Sequence, residues 1–211
     1  MEKVNNIIIL LKKNYKNSKT SLKYNNPLEI LIATILSAQC TDERVNKVTE
    51  VLFKKFKNAK DYANSDLKVL ENYIKSTGFY RNKSKNIKNA CKMIVDKFNG
   101  KVPDNMDDLI KLPGVARKTA NIVLSNVYGK AEGIAIDTHA KRVSYRLGLT
   151  KNKDPNKIEQ DLMKIIPKKY WLNINHLFVE HGRAICKAPT PYCSKCFLDK
   201  LCPKFGVTKK Y

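Results

Sequence analysis

Residues 106–128 read MDDLIKLPGVARKTANIVLSNVY, a helix, a tight Leu-Pro-Gly-Val-Ala turn and a second helix. Pro113 fixes its own φ, and Gly114 permits a conformation that other residues resist, so the chain reverses sharply between the two helices. Ala120, Val123, Leu124 and Val127 fall on the buried side of the second helix. Its first amides point out of the turn with the positive end of the helix dipole behind them, which makes a seat for phosphate. Lys111, Arg117 and Lys118 crowd the same place. Any helical bundle contains hairpins of this kind, but the three cations favour an anion site, and such an element grips a nucleic-acid backbone without reading bases.

Outward from the hairpin, helical periodicity continues in both directions. Val4, Ile7, Ile8 and Leu11 make one apolar face, and Pro27 opens a helix whose Ile30, Leu31, Thr34, Ile35 and Ala38 read as buried core. Thr41-Asp42 offers a cap for a helix carrying Val45, Val48, Leu52 and Phe56. Further helical patterns cover residues 65–76, 82–98, 106–112, 116–128, 138–147, 155–166 and 171–186. Strand-like alternation is nearly absent, and the expected fold class is all-α.

The 211 residues include 41 lysines and arginines against 19 acids, a net charge of +22, with 43% hydrophobic residues. A core is therefore available, while the imbalance opposes compaction and is most simply explained by a polyanionic partner. The apolar runs fall far short of the ~20 residues that cross a bilayer. The opening MEKVNN lacks a signal-peptide layout, so the expectation is a cytoplasmic chain with no membrane partner.

Cys40 and Cys91 stand in apolar-periodic segments and read as small buried hydrophobes. Cys186, Cys193, Cys196 and Cys202 are spaced C-x6-C-x2-C-x5-C. In a reducing compartment, four thiols this close describe a soft metal site rather than disulfides. Zinc usually shows two C-x2-C knuckles, of which only Cys193–Cys196 qualifies. The irregular spacing favours an iron–sulfur cubane, with zinc left open.

LPGVARKTA, followed at a distance by AIDTHAKRVSYRLGL and then by the four-cysteine tail, resembles the helix–hairpin–helix superfamily of DNA glycosylases. Over nearly the whole chain the likeness is to its endonuclease III family. The resemblance implies a six-helix barrel domain over residues 22–132, with the hairpin near 106–128. It implies a cluster domain made of residues 1–21 and 133–211, a [4Fe–4S] cluster on Cys186, Cys193, Cys196 and Cys202, and damaged double-stranded DNA bound by a monomer. In that family a lysine just after the hairpin is the nucleophile, matched here by Lys118, and the aspartate of the DTH segment is matched by Asp137.

The implied chemistry is physically coherent. An amine that attacks a sugar C1′ must first lose a proton, against a free-lysine pKa of about 10.4, and a helix N-terminus with adjacent cations favours the neutral form. A carboxylate stabilises positive charge developing on the sugar as the base leaves. Attack then leaves a Schiff base, and loss of the C2′ proton allows β-elimination of the 3′ phosphate. Asp137 also suits a plain helix N-cap.

Extruding a base costs a few kcal/mol and leaves a hole to fill. The resemblance assigns the plug to Gln39, in LSAQCTD, and the wedge on the opposite strand to Phe79, in TGFY, where leucine is the commoner family choice. Gly114, Ala116, Arg117 and His139 are the remaining DNA-binding candidates, Ala116 standing where the family hairpin commonly has a second glycine. The expected function is a bifunctional DNA glycosylase and AP lyase removing oxidised pyrimidines. A glycosylase for mismatched or deaminated bases and a noncatalytic, redox-sensing DNA-binding protein are the alternatives.

Overall fold

The computed structural model describes residues 2–211 and contains no strand among them. The chain forms two compact units, one of residues Ser21–Glu132 and one that joins the N-terminal segment to Gly133–Tyr211.

The N-terminal helix α1 (Glu2–Asn14) places Ile7, Ile8 and Leu11 in the core of the second of these units. The unit Ser21–Glu132 begins with α2 (Pro27–Leu36). Asn26 caps it by accepting the Glu29 amide at 3.0 Å, and Pro27 supplies a φ already suited to a first turn. Residues 30–36 of α2 are all buried, so this helix has no polar face and lies inside its unit.

Around it stand α3 (Asp42–Lys55), α4 (Ala59–Asn64), α5 (Leu67–Ile74), α6 (Tyr80–Phe98), α7 (Met106–Leu109) and α8 (Arg117–Val123). Side chains cap α3 from Thr41, α4 from Asn58, α5 from Asp66 and α7 from Asn105. No side-chain cap closes α6 or α8, whose N-cap positions are Phe79 and Ala116.

The second unit continues with α9 (Thr138–Arg146), α10 (Pro155–Ile165) and α11 (Trp171–Ala184). Ala140, Val143, Ile158, Leu162, Ile174 and Phe178 from these helices meet the apolar face of α1 in one core.

Several sequence expectations shift. Ala38 is exposed rather than buried, because α2 ends at Leu36 and residues 37–40 turn out of the core. Cys91 is buried as expected, whereas Cys40 lies half-buried in that turn. The pattern over residues 116–128 is two pieces: α8, then a single π turn at Leu124–Tyr128 ended by Gly129 in the left-handed region. The short helix α4 is an addition to the helices expected from periodicity. Its Asn58–Asp61 capping box satisfies amides that six residues of weak periodicity could not.

Candidate active site and cysteine pocket

Gly114 sits at φ +79°, where an L side chain is strained, and a Cβ there would fall 2.8 Å from Asn86 Cβ. Position 114 thus needs glycine both for its conformation and for its contact with α6. The reversal delivers Ala116, Arg117 and Lys118 as N-cap, first and second positions of α8. Lys118 and Arg117 are half-exposed and Ala116 is exposed. The third cation, Lys111, donates to Asp108 at 2.8 Å. That hydrogen bond raises the Lys111 pKa and lowers that of Asp108. Much of its charge is therefore already answered inside α7 and its following turn.

Gln39 and Phe79, expected from sequence as plug and wedge, share an uncommon backbone state. Both are non-glycine residues in the left-handed region, at φ +54° and +48°. Both face solvent, Phe79 being 64% exposed, which removes core packing as its role.

In the other unit Asp137 caps α9, accepting the Ala140 amide at 2.7 Å with Oδ1. His176 on α11 is an element that sequence reasoning missed: burial lowers its pKa, with Asp137 and Glu180 acting the other way. His139 Nδ1 lies 3.0 Å from an Arg142 Nη2 that also donates to the Gly182 carbonyl at 3.0 Å. Arg142 Nε donates to the Cys186 carbonyl at 2.9 Å. Arg142 is accordingly a tie between α9 and the end of α11. Gly182 is needed there, since a Cβ would fall 2.7 Å from His139 Nδ1.

Cys186, Cys193, Cys196 and Cys202 all line one pocket, with Leu147, Ile185, Pro191 and Val207 among its apolar neighbours and Arg146 and His181 among its polar ones. All four are free thiols. Burial raises the pKa of Cys196 to about 11 and also raises that of Cys202. Such thiols become thiolates only against strong positive charge. Arg146, 7% exposed, supplies part of it, with Nη1 3.5 Å from Cys186 Sγ. Arg146 also ties down the loop, donating to the Lys187 carbonyl at 2.7 Å and the Pro189 carbonyl at 3.0 Å. No three His, Cys, Asp or Glu side chains among the described residues converge to seat a single metal ion. Four thiols lining one pocket beside a buried guanidinium make a donor set that fits a soft, thiolate-bound metal group.

One unit thus carries a hairpin whose second helix bears cations at its start, and the other a four-thiol pocket. Residues 32–168 match the HhH-GPD superfamily of base excision DNA repair proteins. Endonuclease III of Synechocystis sp. is 52% identical over 96% of this chain and 92% of its own length, and that of Bacillus subtilis is 46% identical over 89% and 86%. The structure of a trapped endonuclease III–DNA covalent intermediate superposes with a TM-score of 0.92 at 45% identity, covering 96% of this chain and 95% of that one. The chain belongs to the endonuclease III family and is a base excision repair enzyme, a DNA glycosylase and AP lyase. A thermostable thymine-DNA glycosylase, at 22% identity and a TM-score of 0.87, shares the fold.

Proposed function

We propose that this chain removes oxidised pyrimidines from duplex DNA and cleaves 3′ to the resulting site, with Lys118 as nucleophile and Asp137 as its catalytic carboxylate. The observation that carries the reading is Lys118 itself, half-exposed in the first turn of a helix that no side chain caps. The Lys118 amine attacks C1′, the bond to the base breaks, and the departing base carries away the electron pair and is protonated. Asp137 stabilises the positive charge on the sugar at that moment. The C1′–O4′ bond then opens, its oxygen taking up a proton, and the amine remains bound as an imine; the C2′ proton is lost, and the 3′ phosphate leaves by β-elimination. Gly114, Ala116 and Arg117 hold backbone phosphate at the α8 terminus, while Gln39 and Phe79 occupy the duplex around the extruded nucleotide and His139 adds a polar contact. The unit Ser21–Glu132 serves as the barrel domain, and the other unit as the cluster domain.

Cys186, Cys193, Cys196 and Cys202 would hold a [4Fe–4S] cluster, supported by the pocket they share and by the guanidinium beside Cys186. Bound there, the group would join the ends of the loop from Cys186 to Cys202 and would supply one-electron redox chemistry. The reading includes a monomer working in the cytoplasm; no described helix is long and apolar enough to cross a membrane.

Borohydride reduction during turnover tests the central assignment. It should fix the protein to DNA through Lys118, and Lys118→Gln should abolish trapping and strand cleavage while keeping most of the affinity, as one charge among +22. Trapping through another lysine would overturn it.

A further inference from the structure

Lys83 lies in the first turn of α6 and is only 5% exposed. Its ammonium donates to the Leu36 carbonyl and to the Thr77 carbonyl, both at 2.8 Å. Leu36 is the last residue of α2, and Thr77 the last of the single 3₁₀ turn Lys75–Thr77. Each carbonyl therefore stands at a helix end that lacks an intrahelical donor and carries partial negative charge. One buried cation closes both ends at once with charge-assisted bonds.

The residues just beyond these two carbonyls are the ones expected to enter DNA. Gln39 comes three residues after Leu36, and Phe79 two after Thr77, both left-handed and both exposed. Among the described residues only Asn99 and Lys204 share that state without being glycine. A left-handed conformation strains an L-residue, and such strain persists where the surroundings over-determine it.

Lys83 also heads an apolar stripe, for Ile87, Ala90, Cys91 and Ile94 succeed it at helical spacing and are buried. Burial lowers the ammonium's pKa, with Cys40 acting the other way. A buried charge at the head of such a stripe adds little net stability, which points to geometry as its contribution.

We propose that Lys83 is a positioning residue for base extrusion: its ammonium binds the segments preceding Gln39 and Phe79 into one rigid bracket, so that the two side chains enter the duplex together at a fixed spacing. The inference rests on the assignment of Gln39 and Phe79 as plug and wedge.

The test uses the full-length protein with Lys83→Met, and Lys83→Gln, which keeps a neutral donor group, should the first not fold. Single-turnover base release is measured from duplex DNA carrying thymine glycol, an oxidised pyrimidine. Borohydride trapping is measured on single-stranded abasic DNA, where nothing has to be extruded. Duplex release should fall about 10- to 100-fold, the range expected when reacting groups are misplaced by about 1 Å, while single-strand trapping stays within about twofold.

Combining Lys83→Met with Gln39→Ala and Phe79→Ala should add little to the loss from those two substitutions, because all three disable one device. Equal losses on both substrates, or full additivity, would show a merely structural lysine and overturn the inference. Unimpaired Gln39→Ala and Phe79→Ala variants would instead overturn the plug-and-wedge assignment itself, and the inference with it.

Discussion

Asp137 accepts the Ala140 amide at 2.7 Å with one carboxylate oxygen, so the residue assigned to catalysis is also the N-cap of α9. The two uses separate by substitution. Asp137→Asn retains a capping oxygen but loses the charge. Its melting temperature should stay close to that of the parent while base release falls on the order of 100-fold or more, as when a group stabilising transition-state charge is removed. Asp137→Ala should show the same catalytic loss and in addition about 1 kcal/mol of destabilisation from the lost cap. Denaturant titration beside a glycosylase assay distinguishes them, and an Asn variant at full rate would leave Asp137 as a cap only.

Gly114→Ala meets a double obstacle, a strained φ of +79° and a clash with Asn86 Cβ at 2.8 Å. We expect a loss of roughly 1–3 kcal/mol in stability and weaker DNA binding, as the turn shifts away from its phosphate. Asn86→Gly in the same chain should restore part of the stability by relieving the clash but not the strain. Calorimetry on the two variants measures the split.

Binding should be steeply salt-dependent, with log K falling by about 0.9 per phosphate neutralised for each tenfold rise in salt. Arg117→Gln should reduce that slope by about one phosphate. Lys111→Gln should change it less, since the Lys111 ammonium is already engaged by Asp108 at 2.8 Å. Fluorescence anisotropy across a salt series measures both, and equal slopes would mean that the ion pair opens on DNA.

Cys196→Ser should lose iron and sulfide together and leave a chain that melts earlier, because ligation and folding of the loop are linked. Iron and acid-labile sulfide determinations on protein purified without air test this. Stoichiometric zinc with neither would count against the cluster.

His176 gives a pH signature. Burial holds its folded pKa below the ordinary value near 6.5. The unfolded chain therefore takes up the proton first, and stability that is complete above that pH is lost as pH falls through it toward the folded value. Urea midpoints should drop more between pH 7.5 and 5.5 for the parent than for His176→Gln. Parallel drops would assign the titration elsewhere.

Much of the fold was legible in the sequence because it depends on local rules. Pro27 opening a helix, Thr41 and Asp137 as caps, and the Pro113-Gly114 reversal come from backbone chemistry that one or two residues dictate. The grouping of the four cysteines came from spacing alone, and in the structure all four line one pocket. The exposure of Ala38 was not legible, since periodicity carries on through the point where α2 stops. Nor was the π turn after Val123, which has no composition signature. Arg142 and Arg146 find their carbonyl partners some 40 residues away in sequence, and pairings at that distance leave no local pattern. Lys83 did leave one, a charge standing at the head of an apolar stripe.

Residues 30–36 of α2 offer no face to water, and the consequence reaches the amide protons. Exchange with deuterium there requires opening of the whole unit, so these amides should be among the slowest in the protein and track its global stability. Residues 37–40 form an exposed or half-exposed turn immediately beyond, where exchange needs only a local opening. A boundary between slow and faster protons in this unit thus falls at Leu36, whose carbonyl Lys83 holds at 2.8 Å. Losing that ammonium should let fast exchange creep back into the last turn of α2 before the rest of the helix loosens.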